Sequence, residues 1–378
     1  MGAGYSSGKG DSPLADLKFS WALRYADSPV KYASSSSLAV IKRGDGSKWL
    51  ALAYQASDTP HEGSRGQHLR FALSKDGGET FAPSKAVMWG ATPLWSPSLH
   101  YDAATNRLFL FYSESRKSLS PGGDIKVIVS SDYGETWTPP QLIYAHEAED
   151  EVPKVVGHRL LVAKDGTWYL PVHREPAESW HTFSGSTFHP LSEAPEQQLQ
   201  LQPPAGAAPQ SMTTAASLLV SKDSGATWKV VGDVEDAKTW LVNPVLEQGS
   251  KGQLIMMFRT AAGKVYLSSS SDKGVTWSRP GANALPNPNS QFSTVTIDGQ
   301  VLCVFNNSTT TRAPLALALS VNDCKGWEPL AVIEEDPKGN FSCPSIVEWT
   351  DDTVKIVYTV WGEGIKLATV KLATVEST

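Results

Sequence analysis

The sequence predicts an all-β protein, a six-bladed β-propeller closed by its own N-terminal strand, and three observations lead there. The first is an octapeptide that recurs. Residues 130–137 read SSDYGETW, residues 74–81 SKDGGETF, residues 221–228 SKDSGATW and residues 270–277 SSDKGVTW; a worn copy, SVNDCKGW, spans 320–327. Each copy follows an alternating apolar run such as HLRFALS or IKVIVS. The pattern reads as strand, tight turn, strand. The Asp side chain caps the turn, Gly supplies a positive-φ position, and the aromatic folds back onto the core. Self-similarity at this period marks an array of small sheets.

The second observation is a repeat upstream of each octapeptide. A strand opens on a polar residue, closes in a polar turn and leads into a strongly apolar strand. The six openings are at Tyr32, Trp95, Lys154, Asn243, Asn289 and Ser342, and the turns read GDGS, AATN, AKDG, GSKG, DG and TDD. Asp, Asn and Gly are the residues that tight turns demand. The third observation is a deficit. Five units end in an octapeptide, whereas the sixth has only IKLATVKLAT after it and lacks an outer strand. The N-terminal run at 18–25, KFSWALRY, is a strand in search of a sheet. Placing it in the sixth unit closes the ring and removes the open edges of a linear array.

The expected organisation is a flexible tail over residues 1–16 and a single propeller domain over 17–375. The domain is interrupted at about 176–213 by an excursion rich in Pro, Gln and Ala. A stretch of that length is read as a lid or a disordered loop.

Composition narrows the function classes. The chain has 378 residues, 40% of them hydrophobic and 19% charged, with 13 Trp, which is ample for a globular core. A net charge of −6 argues against nucleic acid and anionic membrane surfaces as partners. No apolar run approaches a transmembrane helix, so no membrane insertion is expected. The N-terminus shows no apolar signal core; the chain is either intracellular or has lost a signal, and the compartment stays open. Cys303, Cys324 and Cys343 do not make a disulfide framework. Asn306, Asn307 and Asn340 each open an N-x-S/T triplet, relevant only to a secreted chain. Metal-ligand spacings are absent, so no metal or cofactor is expected, and a monomer is anticipated.

In a propeller the first strand of each blade lines the axis, where ligands generally bind. By that rule the rim of the pocket draws on Tyr32, Trp95, Lys154, Asn243, Asn289 and Cys343. The ends of the second strands add His173, Arg174 and Arg259, and the loop after the fifth unit's second strand adds Arg312. Trp95 reads either as a sugar-stacking face or as core. Cys343 reads either as a site thiol or as an inert one. Asn287 and Asn289 are expected to cap a turn. Two or more arginines in one concavity match a carboxylate, because the planar guanidinium presents paired N–H groups to its two oxygens.

The octapeptide resembles the Asp-box, the bacterial neuraminidase repeat. With LPNPNS at 285–290, RAPLALALS at 312–320 and NFSCPSI at 340–346, the chain from about residue 30 to 370 resembles the BNR-repeat, sialidase-like branch of the sialidase superfamily. The resemblance implies three arginines around a sugar carboxylate, a Tyr–Glu nucleophile pair and an Asp acid/base. Arg259 stands where the second arginine belongs and Arg312 where the third does. The position of the first arginine holds Tyr32, that of the nucleophilic Tyr holds Cys343, and that of its Glu partner holds Pro244. The loop that carries the acid/base offers Asp58, Glu62, His61 and His68.

Three functions follow. The favoured one is an exo-acting glycoside hydrolase of the sialidase type on an acidic sugar. In it Glu62 serves as acid/base, and Tyr32 or Cys343 as nucleophile or stabiliser. The second is a lyase on a uronate-containing polysaccharide. Arg259 and Arg312 would neutralise the carboxylate, His173 or His68 would be the base and Tyr32 the acid. The third is a sugar-binding propeller without chemistry.

Overall fold

Alternating apolar strands of two to eleven residues cannot bury both edges alone, so they gather into antiparallel sheets around a common axis. The computed structural model describes residues 14–116, 122–148, 152–174 and 215–373, and it is a six-bladed β-propeller. Blade one comprises Tyr32–Lys42, Lys48–Ser57, His68–Ser74 and Lys85–Met88, from the axis outward. Blade two comprises Leu94–Asp102, Arg107–Glu114, Asp124–Ser130 and Gln141–Tyr144. Blade three has a split inner strand, Lys154–Val156 and Leu161–Val162, then Trp168–Arg174, Ala216–Ser221 and Lys229–Val234. Blade four runs through Val242–Gln248, Leu254–Arg259, Lys264–Ser270 and Gly281–Pro286. Blade five runs through Ser293–Ile297, Gln300–Asn306, Leu315–Ser320 and Glu328–Glu334. Blade six takes Phe341–Thr350, Thr353–Val360 and Gly364–Leu372 from the C-terminal end.

Its fourth strand is Leu14–Arg24 from the N-terminal end, paired antiparallel with Gly364–Leu372 in the register Leu17↔Val370 and Leu23↔Ile365. The ring is therefore closed as the sequence predicts. The strand begins at Leu14, so it takes in residues expected to belong to the tail. The rest of that tail, and the excursion at 176–213, lie outside the described residues. Among the described residues no helix is long and apolar enough to cross a membrane.

Burial follows from this geometry. The apolar residues form six wedges, each between neighbouring blades, and no central core. One wedge joins Leu38, Leu50, Leu52 and Tyr54 of blade one to Val357, Ile365 and Leu367 of blade six. The axis is left to polar groups.

The octapeptides stand between the third and fourth strands of their blades, on the face opposite the start of the inner strands. Each is a closed hydrogen-bond unit. In blade two Ser130 Oγ donates to Asp132 Oδ1 at 2.7 Å and accepts from Gly134 N at 2.8 Å. Asp132 then accepts from Thr136 N at 2.9 Å and from Thr136 Oγ1 at 2.5 Å. Blades one, three and four repeat the set. Two successive residues adopt positive φ in each turn, Tyr133 at 61° and Gly134 at 89° in blade two. A Cβ on Gly134 would lie 2.2 Å from the Phe71 ring of blade one, so the turn also seats the neighbouring blade. The worn copy keeps the geometry with other atoms. Asn322 Oδ1 accepts from Gly326 N at 2.7 Å and from Ser320 Oγ at 3.0 Å. An amide has one acceptor oxygen where a carboxylate has two, and the threonine that would need the second is Gly326 here.

Asp76, Asp132, Asp223 and Asp272 are held at about 2, first by the threonine hydroxyl and then by the threonine N–H. Because the folded state lowers these values below the ordinary 3.8, their contribution is complete above that value and is lost as the pH falls toward 2. The urea midpoint should therefore hold between pH 7 and 5 and drop steeply below pH 4. Ser130→Ala strands the buried Gly134 N–H and should cost about 1–3 kcal/mol, read as a lower urea midpoint with unchanged slope.

Candidate functional site

The inner strands approach the axis through a kink. Ser35, Ser96, Asn243 and Cys343 occupy matching places in blades one, two, four and six, with φ of 51°, 50°, 47° and 50°. Each interrupts the register with the next strand, between Ser34 and Ser37, Trp95 and Ser98, Val242 and Val245, and Ser342 and Ser345. Left-handed backbone at non-glycine residues is costly, and its repetition around one axis marks a built feature. Serines just past the kink tie blade to blade. Ser345 Oγ accepts from Leu38 N at 3.2 Å, Ser37 Oγ from Leu99 N at 2.9 Å and Ser293 Oγ from Ile346 N at 3.2 Å.

The kink changes which residues line the axis. Ser35, Ser36, Ser37, Ser96, Pro97 and His158 do so, one to five positions later than the sequence rule places them. His158 crosses the channel: its Nε2 meets the Pro344 carbonyl at 3.0 Å, and its backbone N–H donates to Pro244 O at 3.1 Å. Burial pushes its imidazole down to about 4, so it is neutral at pH 7 and donates from Nε2.

Three of the expected rim residues have other work. Trp95 is 3% exposed and donates its indole N–H to Ser115 Oγ at 2.6 Å, so it is core and not a stacking face. Lys154 is fully buried and donates its ammonium to the carbonyls of His146 at 2.9 Å and Ala148 at 2.7 Å. Its backbone pairs with Gly123, next to the third strand of blade two. Arg174 pairs with Asp233 on the outer strand of its own blade. His173 is 1% exposed within blade three.

The remaining candidates gather along one arc from blade four to blade one. Arg259, at the end of its strand, donates Nε to Asn289 Oδ1 at 2.7 Å and Nη1 to Asn243 Oδ1 at 3.1 Å. Asn289 is 9% exposed, and its Nδ2 has no partner among the described residues. Asn287 caps the turn beside it, accepting from Ser290 N at 3.1 Å. Ser290 Oγ donates to Asn306 Oδ1 at 2.6 Å. Asn306 Nδ2 in turn holds the carbonyls of Arg312 at 2.9 Å and Phe341 at 3.0 Å. Asn306 is completely buried, so its triplet is no attachment point for a glycan. Arg312 is half-buried, and its carbonyl also accepts from Phe341 N at 3.1 Å, which fixes its loop against the start of blade six.

Across the seam to blade one, Ser34 Oγ meets Cys343 Sγ at 3.3 Å. All three cysteines are free thiols. On the second strand of blade one, buried Gln55 accepts from Ser96 N at 3.0 Å through Oε1, which orients its amide. Its Nε2 reaches Tyr32 Oη at 3.0 Å and Glu62 Oε1 at 2.9 Å. One amide group thus holds the phenol and the carboxylate side by side. Burial first, then the charge and hydrogen bond of Glu62, hold the Tyr32 phenol well above its ordinary value, while the Gln55 hydrogen bond works the other way. With Nε2 donating to the phenol oxygen, the Tyr32 proton is left for another acceptor, and Glu62 is the neighbouring carboxylate. The structure thus brings together a tyrosine, a carboxylate and an orienting amide. Sequence reasoning missed Gln55, Ser34 and His158. A Gln in the apolar run KWLALAYQAS was the one legible signal, a polar residue where the strand should be buried.

Glu247, on the inner strand of blade four, is not part of this cluster. It is 1% exposed and accepts from Arg159 at 2.8 Å, Thr294 at 2.5 Å and Thr296 at 2.7 Å, joining blades three, four and five. His68 is buried, with Nδ1 at 2.8 Å from Gly66 O, and burial lowers its pKa.

Gln55→Ala removes the acceptor of Ser96 N–H and the donor to Tyr32 and Glu62. It should cost about 1–3 kcal/mol in urea unfolding. It should also move the Tyr32 ionisation to still higher pH in an alkaline absorbance titration, because the hydrogen bond that favours the phenolate is gone.

Comparison with known proteins agrees with this architecture. A protein from Dyadobacter fermentans described as of unknown function superposes with a TM-score of 0.70 at 16% identity, covering 95% of this chain and 99% of that one. The intramolecular trans-sialidase of Ruminococcus gnavus, solved with oseltamivir carboxylate, gives 0.68 at 14% identity, with 93% and 98% covered. The Trypanosoma rangeli sialidase, solved with sialic acid, gives 0.63 at 17% identity; 91% of this chain is covered and 54% of the sialidase. At these identities the likeness shows the fold alone. Comparison of the sequence with curated proteins finds no match. Residues 50–356 match the BNR repeat-like domain, most of the propeller including its five turns, and the chain belongs to that family.

Proposed function

We propose that the protein is an exo-acting glycoside hydrolase of the sialidase type, acting on a sugar that carries a carboxylate. The observation that carries the reading is the Tyr32–Glu62 pair held by Gln55. A phenol is a weak nucleophile until a neighbouring base takes its proton, and Glu62 is positioned to take it. In this reading Tyr32 attacks the anomeric carbon and Glu62 accepts the phenol proton. Asp58, exposed on the same loop as Glu62, protonates the leaving oxygen. Glu62 is then the base of the pair, and not the acid/base that its loop position implies. Cys343 lines the site without a chemical role.

Arg259 and Arg312 bind the carboxylate. Arg259 is supported in this by the two asparagines that fix its guanidinium, and Asn289 Nδ2 is a further donor for the ligand. The sialidases and trans-sialidases that share this fold support the substrate class.

The lyase reading has less geometry behind it. His173 is buried, and His68 lies buried beneath Trp89 with its Nδ1 on a carbonyl, so neither imidazole stands ready at a sugar C5. A binding-only propeller would not need a phenol aimed at a carboxylate.

The test is a product assay with an aryl sialoside, sialyl-conjugates and uronate polysaccharides, following free acidic sugar and absorbance near 235 nm. Release of sialic acid is expected. Tyr32→Phe and Glu62→Gln should each lower kcat at least 100-fold with the fold retained. Arg259→Ala should raise KM for the carboxylate substrate and leave binding of a neutral analogue unchanged. New ultraviolet absorbance on a uronate polymer would replace this reading with elimination. Binding without either product would leave a sugar-binding propeller.

A further inference from the structure

Among the described residues two tryptophans are exposed, Trp361 at 37% and Trp89 at 53%, and both stand on the face that holds the site. The other exposed large apolar side chains are Phe19, Val162 on the split inner strand of blade three, and aliphatic residues on outer strands and turns. Exposure of an indole is costly, and two on one functional face call for a ligand.

Neither indole is loose. Trp361 sits in the turn between the second and third strands of blade six. Its backbone N–H donates to Asn340 O at 3.0 Å, and the backbone of Glu363 in the same turn bonds to Val360 and Tyr25 at 3.0 and 2.9 Å. Its ring meets the Tyr32 ring edge-on, with centroids 6.3 Å apart and planes at 72°. Asn340, which anchors it, immediately precedes the Phe341 that bonds to Arg312 O. Trp361 therefore lies between Tyr32 and the Arg312 loop. Trp89, in the connection from blade one to blade two, stacks on His68 at 3.7 Å and 17°. His68 closes the loop that bears Glu62 and is itself fixed by Gly66. One face of Trp89 is thus spent on the imidazole, and the other is presented to solvent.

From this placement we infer that Trp361 and Trp89 are sugar-stacking platforms on opposite sides of Tyr32 and Glu62. The ligand they fit is an oligosaccharide that runs across the pair, more than a single terminal sugar. The inference rests on the sugar-binding reading of the site. An indole face matches the C–H face of a pyranose, and two rigid faces set at a distance from one reacting centre fit rings on either side of the attacked bond.

The experiment titrates the full chain with free sialic acid, sialyllactose, a uronate hexasaccharide and a neutral hexasaccharide. Wild type should bind at least one oligosaccharide about tenfold or more tighter than the monosaccharide. Trp361→Ala and Trp89→Ala should each weaken oligosaccharide binding about 3- to 10-fold and leave the monosaccharide within twofold. Trp361→Phe, which keeps a flat ring, should retain most of the affinity. Equal losses on acidic and neutral oligosaccharides would keep the platforms and remove the acidic-sugar reading. No binding of any oligosaccharide by wild type, or unchanged affinity in both alanine variants, would overturn the platforms.

Discussion

The candidate site straddles the seam where the ring is closed. Leu14–Arg24 from one end of the chain completes the sheet begun at Phe341 from the other, and that sheet packs against blade one through Leu23, Val30, Leu38, Val357, Ile365 and Leu367. Everything that brings blade six to blade one depends on this pairing: the Ser345–Leu38 bond, the Ser34–Cys343 contact and the Trp361–Tyr32 edge. An open six-unit array would leave Tyr32 and Trp361 at unpaired ends. Closing a ring through an N-terminal strand costs the chain entropy of joining distant segments, but it covers the edge of Gly364–Leu372 and packs blade six against blade one through a wedge like the other five. A constellation of functional groups built there can hold its geometry.

The two faces of the propeller divide the labour. On one, Asp-box turns engage their Ser, Asp and Thr side chains with one another, locally and repeatedly, which leaves those groups committed to the turn. The Asn322–Gly326 copy supports this. Where the carboxylate is replaced by an amide with one acceptor oxygen, the hydroxyl that needed the second is absent too, and the turn is otherwise unchanged. On the other face polar groups are tied from blade to blade in a long arc through Asn289, Ser290, Asn306 and the Arg312 carbonyl. Bonds between elements specify the relative position of side chains from different blades, which local turns cannot do. That arc is what holds arginines from blades four and five in fixed relation to a tyrosine in blade one.

How much of the site could be read from the chain depends on which bonds make it. Arg259 was legible as a candidate because strand ends in a repeating unit project to the same face, and Arg312 because its loop joins two strands on that face. Tyr32 and Glu62 were legible as candidates, but their contact was not, because it is formed through Gln55 and a loop whose path no periodicity reports. Lys154 and Arg174 were misplaced because buried carbonyls and Asp233 take up their charged ends, and Trp95 because its strand is kinked. The rule that the leading residue of each inner strand faces the axis assumes a straight strand, whereas the kink at Ser35, Ser96, Asn243 and Cys343 shifts the register and gives the axis to serines, prolines and His158. A positive φ at serine or cysteine leaves no mark in composition.

The sequence by itself determined the number of blades, the place and form of the turns, and the closing role of the N-terminal strand. These follow from period-two apolar patterning and turn chemistry, which act over a few residues and recur. Only the tertiary structure decided which polar groups meet: the Tyr32–Glu62–Gln55 cluster, the asparagines that fix Arg259, and the two tryptophans that stand in solvent on the same face. Those are contacts between segments far apart in the chain, selected by backbone kinks and by the geometry of six sheets around one axis. Their energetics lie in distance and orientation, which no local pattern encodes.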